Sequence, residues 1–410
     1  MDKRCYMVSS SEPTLLLLSP PPYPHYVATD RAECCPPTPL GAIPTPLCHS
    51  NSACLPDESG APVKVSRMRR MPLPIRDGLN PSRIAAPGRH GDAPTRAWVL
   101  LAGAIAGQTH RHPDDDEAAV AKRFADGLVV RANSVPYSPD DMVKPGAEMW
   151  FYRTPAPERT IAGPMPIVFQ DDNLVVVDKP SFLATMPRGR HITETAVVRL
   201  RRELGNPELV PAHRLDRLTS GLLIFTARRE VRGAYQGLFA SGEVTKRYHA
   251  LTSPTPIAGA TSEALPETPL ELRTRQHKVA GQMQAYTLEG EPNAHTIIEH
   301  ISLVDVPSDA DDLAADSGRV ALWQLKPITG RTHQLRLHLS ELGFPILGDQ
   351  YYPEILPLEA ENTSEPLHLV CVEMSFADPV TGEQRTFHSR RSVFNPLSLP
   401  DINSPLIKSN

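Results

Sequence analysis

Apolar and polar positions in residues 161–395 follow two rhythms. Short apolar or alternating runs bounded by Gly, Pro, Asn or Asp predict strands. They are "MPIVFQ" and "NLVVVDKP", joined by a tight turn on Asp171-Asp172-Asn173 and closed by Pro180, then "LLIFTA" (222–227) and "TKRYHALT" (245–252). "RVALWQLKP" (319–327), "LHLVCVEMSF" (367–376) and "EQRTFHS" (383–389) continue the series. Three- and four-residue spacing predicts helices over "ETAVVRLRREL" (194–204), which stops at Gly205, and over "REVRGAYQGLFASGEV" (229–244). The second carries Val231, Tyr235, Leu238 and Phe239 on one face. The latter half of "TGRTHQLRLHLSELG" (329–343) is a third helix, running to Gly343. Strands outnumber helices and do not alternate with them, which predicts an α+β fold around a mixed, largely antiparallel sheet.

Residues 68–160 read as a small mixed unit ahead of this. "TRAWVLLAGAI" and "EAAVAKRFADG" are helix-like, and short strands follow, separated by turns at Asn133-Ser134 and Pro145-Gly146. Residues 1–67 hold ten prolines by Pro46 and no sustained periodicity, so they are expected to form a disordered tail. Translation is expected to begin at Met68 or Met71, where the sequence changes character. Residues 396–410 read as a flexible tail.

Composition narrows the classes. No run of eighteen apolar residues occurs, so no membrane span is expected. Five of the six cysteines lie in the first 54 residues at spacings unsuited to a metal site, and Cys371 alone remains. A globular part with one cysteine suits the reducing cytoplasm. The net charge of −5 argues against a generally basic nucleic-acid binder. Yet twelve Arg/Lys face six Asp/Glu between Arg188 and Arg247, a local excess that a polyanion would feel. The acid is concentrated at Asp114–Glu117 and Asp305–Asp316.

Three stretches could carry chemistry. In "HRLDRLTSGLLIF" Asp216 sits between Arg214 and Arg217, and cations favour an ionised carboxylate. Thr219 and Ser220 can bond the loop, and Gly221 opens backbone angles closed to other residues. An ordinary structural ion pair fits the same residues. In "VTKRYHALT" Tyr248 offers an aromatic face and a hydroxyl, or is simply a core tyrosine. In "KPITGRTHQLRLHL" the turn at Thr329-Gly330 presents Arg331 and Thr332 at a helix start, where an anion is favoured. Arg336 falls on a different part of that helix. His333 and His338 are five apart rather than four, so they read as satisfied polar histidines and not as metal ligands.

In this order the three stretches resemble the motifs of the RluA-type RNA pseudouridine synthases. "LVVVDKP" resembles the strand that opens their catalytic domain, and "LGFPILGDQYY" with "LHLVCVEMSF" its closing segments, so the likeness spans roughly residues 165–390. The small unit before it resembles, degenerately, an RNA-hook domain. The resemblance implies an α+β catalytic domain over 161–395 that isomerises uridine in RNA without metal or organic cofactor. It implies Asp216 as the essential aspartate, Tyr248 as the tyrosine beside the uracil, and Arg331 as the cation paired to Asp216. His213, Arg214, Thr219, Lys246, Thr332, His333, Gln334 and Arg336 are the expected RNA-contacting positions. Arg188, Arg190, Arg199, Arg201, Arg202 and Arg228 are candidates for phosphate. The expected partner is ribosomal RNA ahead of transfer RNA, with no membrane and no obligate protein partner, the protein acting as a monomer. Two other readings remain: a non-catalytic RNA-binding or ribosome-assembly factor, and a glycosidase. The second needs another carboxylate, and none lies in the three motifs.

Overall fold

The computed structural model describes residues 71–260, 263–307, 313, 318–356, 362–397 and 399. The expectations for residues 1–67 and for nearly all of 396–410 lie outside the described residues. So does most of the acidic insertion after Val304.

Between residues 71 and 160, strand β1 (Ser82–Ala85) pairs with β4 (Glu148–Phe151), and β2 (Thr95–Arg96) with β3 (Met142–Val143). Helices α1 (Ala97–Ala106) and α2 (Glu117–Ala125) lie between them in sequence. Ala97, Leu101 and Ile105 recur every fourth residue along α1 and enter a small core with Val120, Phe124, Met149 and Phe151. Asp116 caps α2 by accepting the Ala119 N–H at 3.0 Å. The strands on either side of the Pro145-Gly146 turn do not pair with each other. Each finds a partner upstream, and "SRIA" is too short to be legible as one.

The remaining elements build one large sheet. They are β5 (Ile167–Gln170), β6 (Leu174–Lys179), α3 (Ala196–Leu204), β7 (Val210–Pro211), β8 (Ser220–Thr226), α4 (Arg232–Ala240) and β9 (Thr245–Thr252). Then come β10 (Leu270–His277), β11 (Tyr286–Leu288), β12 (Ala294–Asp305), β13 (Arg319–Pro327), α5 (Gln334–Glu341), β14 (Leu369–Ala377) and β15 (Gln384–His388). The eleven-stranded sheet runs β11-β10-β12-β13-β9-β14-β8-β6-β5, with β15 on β14 and β7 on β8. Its β8–β14 pair is parallel and its other pairs are antiparallel. The fold is thus α+β on a mixed, largely antiparallel sheet, as the sequence pattern predicts.

Local chemistry explains the boundaries. Asp171 accepts the N–H groups of Asn173 and Leu174, each at 2.8 Å, which closes the β5–β6 turn. Gly205 ends α3 in the left-handed region, at φ 59°. Strands β6 and β8 are buried along their whole length, which is why both read as continuous apolar runs. Between them and the helices lies the main core, including Val176, Leu223, Phe225, Tyr235 and Trp323. No helix among the described residues is long and apolar enough to cross a membrane.

Candidate active site

Asp216 sits on the loop between β7 and β8, and the preceding segment clamps that loop by its carbonyls. Thr185 Oγ1 donates to Leu215 O at 2.8 Å. Lys179 Nζ donates to Arg217 O at 3.2 Å, and also to Pro180 O and Leu183 O at 2.9 and 2.8 Å. Ser181 Oγ donates to Leu218 O. Lys179 is fully buried, and that burial pushes its ammonium well below the usual lysine range. Where the loop enters β8, Gly221 has φ +102°, and a Cβ there would stand 2.3 Å from Cys371 O. Only glycine lets β8 and β14 approach this closely.

The cation facing Asp216 is Arg336, not Arg331. Arg336 lies in α5 with 1% of its side chain exposed and is held by Asp349, at 2.8 Å through Nε and 2.5 Å through Nη2. Burial opposes its charge, but Asp349, Asp216 and Tyr352 together outweigh burial and raise it. The Tyr351 and Tyr352 rings lie 4.9 and 5.4 Å from the guanidinium carbon. Its remaining nitrogen, Nη1, is buried without a hydrogen bond and faces Asp216 at 3.8 Å. The expected Arg331–Asp216 pair is not formed. Arg331 precedes the helix, which begins at Gln334, and its Nε donates to Asn293 O at 2.9 Å at an exposed position.

The neighbours of Arg331 brace that turn. Gln334 is buried. Its Oε1 accepts from Arg331 N at 3.0 Å and Thr329 Oγ1 at 2.7 Å, and its Nε2 donates to His295 O and Thr296 Oγ1. Gln334 therefore shapes the loop and has no group left to offer a ligand. His333 adopts φ 61° and places Nε2 4.0 Å from Asp216. Burial pulls it down to about 4, so at neutral pH it is an uncharged neighbour of the carboxylate. Its Nδ1 meets the Tyr352 hydroxyl at 3.2 Å. His338 is a satisfied histidine, as expected, between Thr274 and Thr296 at 2.8 and 3.0 Å.

Tyr248 faces this group from β9, with 9% of its surface exposed. Burial, then the Cys371 thiol opposite on β14, then the Asp216 charge push its phenol well above the usual range. The hydroxyl thus keeps its proton and cannot serve as a phenolate base. His213 is held by its own fold contacts. Its Nε2 accepts the Ile224 N–H at 3.2 Å and its ring stacks on Phe239 at 4.3 Å, while burial takes it down to about 3.

All eleven expected site residues line a single cavity of about 1000 Å³, together with Gln236, Phe239 and Leu369. This is at the upper end of ligand-pocket volumes and is ample for an extruded nucleoside. Asp216 retains 23% exposure within it. The outlying arginines divide differently from expectation. Arg201 is buried and donates to Leu209 O, Gly78 O and Asn80, and Arg202 bonds Asp77, so both fasten α3 to residues 77–80. Arg199 is bonded to Glu194 and Ile161 O, and Arg228 to Asn173. Arg188 and Arg214 are exposed. Sequence reading missed Asp349, Tyr351 and Tyr352 as parts of the site, although "LGDQYY" stands out as an acid followed by paired tyrosines. Among the described residues no cluster of His, Cys, Asp or Glu is arranged to hold a metal.

Comparison with known proteins matches residues 173–341 to the RNA pseudouridylate synthase family. The chain is 34% identical over 223 residues to tRNA pseudouridine synthase C of Vibrio vulnificus, covering 53% of this chain and 87% of that protein. The chain belongs to the RluA-type RNA pseudouridine synthases. Members of this family are isomerases. Over 225 residues it is 31% identical to the dual-specificity RNA pseudouridine synthase RluA of Haemophilus influenzae, covering 55% and 92% of the two chains. A synthase from Saccharomyces cerevisiae, the mitochondrial tRNA pseudouridine(32) synthase, is 33% identical over 191 residues, covering 46% and 37%. The family match runs from β6 to the end of α5, so it contains Asp216, Tyr248 and Arg336 but stops short of Asp349.

Proposed function

We propose that this protein converts uridine to pseudouridine in structured RNA, with Asp216 as the acting carboxylate, Arg336 as its cation and Tyr248 as the platform for the base. The observation that carries this reading is the meeting of the three in one open cavity, with Nη1 of Arg336 left without any partner closer than Asp216.

The reaction breaks the bond between uracil N1 and ribose C1′, turns the base, and joins C5 to C1′. An ionised carboxylate can attack C1′ or remove the C2′ proton. The target must first leave its stack, at a cost of a few kcal/mol. Stacking on the Tyr248 ring offsets about 1–3 kcal/mol of that cost. The final C5 proton does not stay on the phenol, which is already protonated. We assign it to the Asp216 carboxylate, freed once C1′ is rejoined, with Tyr248 as a relay. Exposed Arg188, Arg214 and Arg331 are suited to phosphate contacts, which position RNA without reading its sequence.

Two of the three relatives named above carry tRNA in their names, which favours transfer RNA as the first substrate to test and ribosomal RNA as the second. We place the activity in the cytoplasm, on a monomer, in keeping with a single free and buried cysteine, Cys371, among the described residues. The test is RNA carrying C5-tritiated uridine. Tritium released while the chain stays intact marks isomerisation. Chain or base loss would indicate a glycosidase, and binding without release a non-catalytic RNA-binding factor.

A further inference from the structure

One half-buried cation lining the cavity, Lys246, has no partner among the described residues. Lys246 lies on β9, two residues before Tyr248, so the two side chains leave the same face of the strand. Both line the cavity. The Lys246 ammonium makes no hydrogen bond or ion pair among the described residues, although the side chain is half-buried. Burial lowers its charge preference, and no carboxylate is near enough to offset that. The titratable groups that feel it are Cys371 and His213. Burial holds Cys371 up at about 12 and His213 down at about 3, so both are neutral around pH 7. A desolvated charge without an anion is unfavourable unless a ligand supplies one.

We propose that Lys246 is a second catalytic cation, whose ammonium holds a carbonyl oxygen of the uracil stacked on Tyr248 and stabilises the charge gathering there as the base departs. This rests on the uridine-isomerising reading above. Whichever course Asp216 takes, N1 leaves with the bonding pair of the C1′–N1 bond, and that charge spreads to O2 and O4. Lys246 gives up no proton. When C5 bonds to C1′, the charge returns to the ring and the C5 proton leaves. Uracil is nearly symmetric about the line from N3 to C6, so a half-turn about that line exchanges N1 with C5 and O2 with O4. A fixed donor beside one carbonyl position therefore finds an oxygen there before and after the turn. The half-buried position suits a base edge better than a hydrated phosphate, for which the exposed arginines are placed.

The experiment compares wild type with Lys246→Met and Lys246→Arg, using tritium release and RNA binding. Lys246→Met should lower kcat by about 10- to 100-fold, the usual worth of a charge-assisted contact made to developing charge, while Kd for RNA stays within threefold. Lys246→Arg should recover most of the rate. With 5-fluorouridine in the RNA, followed by nucleoside chromatography, the Lys246→Met loss should shrink, because fluorine already stabilises the departing base. Unchanged kcat with weakened RNA binding would overturn the proposal and make Lys246 a phosphate contact. An equal loss with uridine and 5-fluorouridine would also overturn it. Absence of tritium release from the wild type is a different failure, and would remove the isomerase reading itself.

Discussion

Arg336 and Asp349 form a buried, two-pronged ion pair, each side chain 1% exposed, that leaves one guanidinium nitrogen free to face Asp216. In the proposed reaction Asp349 thus aims the cation that serves the Asp216 carboxylate. Replacing Arg336 with Met should abolish most turnover, by at least about 100-fold, since it strips the proposed acting carboxylate of the cation that faces it. It should also cost about 3–5 kcal/mol of stability, because Asp349 is left buried and unpaired. Arg336→Met/Asp349→Leu should regain much of the stability and none of the activity. Kinetics and chemical denaturation of both variants check this, and recovered activity in the double variant would refute it.

Arg331 makes the opposite case. Its guanidinium sits at the surface on a backbone carbonyl, so Arg331→Ala should leave kcat within about fivefold, with any loss appearing in RNA affinity as for a phosphate contact. A hundredfold fall in kcat at saturating RNA would return Arg331 to the role that the sequence motif suggests.

Buried histidines couple stability to pH, His213, His333 and His338 most strongly. Burial holds His213 at about 3 and His333 and His338 at about 4, whereas an unfolded chain protonates each near pH 6.5. Between those values the unfolded form binds more protons, so stability is complete above about pH 6.5 and declines as pH falls. At pH 5 each histidine costs up to about 2 kcal/mol. Melting temperature should drop as pH falls from 6.5 to 5. A flat or rising profile on acidification would contradict this.

Gly221 sets the distance between the Asp216 loop and the strand opposite Tyr248. An alanine there meets the Cys371 backbone and an unfavourable φ, together costing about 2–6 kcal/mol. Gly221→Ala should lower the melting temperature by roughly 5–15 °C. A change below 2 °C would mean that β8 and β14 are less tightly joined than described.

Elements with strong local signals were legible in the sequence. "TKRYHALT" and "RVALWQLKP" match β9 and β13 residue for residue, and Gly205 ends α3 where a left-handed cap is needed. Strands β10 and β12 were not read as such. Glu271, Arg273 and Arg275 of β10 and His300 of β12 are exposed, so polar residues interrupt the apolar positions of both strands. The residues that line the cavity were legible in the sequence, but not how they pair. Spacing along "GRTHQLR" offers two arginines, and only the fold decides between them. The deciding partner, Asp349, comes from a segment beyond α5, and the turn around Gln334 carries Arg331 away to Asn293. Burial is likewise invisible to charge counting. Arg201 looks like a phosphate ligand in sequence and is a fastener in the structure.

The most direct test concerns the Asp216 carboxylate. Wild type and Asp216→Asn, matched for melting temperature and RNA affinity, should be compared for tritium release from C5-labelled uridine RNA under single-turnover conditions. The account requires release by the wild type and none by Asp216→Asn, with Kd for RNA changed by no more than severalfold. Release by Asp216→Asn at the wild-type rate would show that another group performs the chemistry.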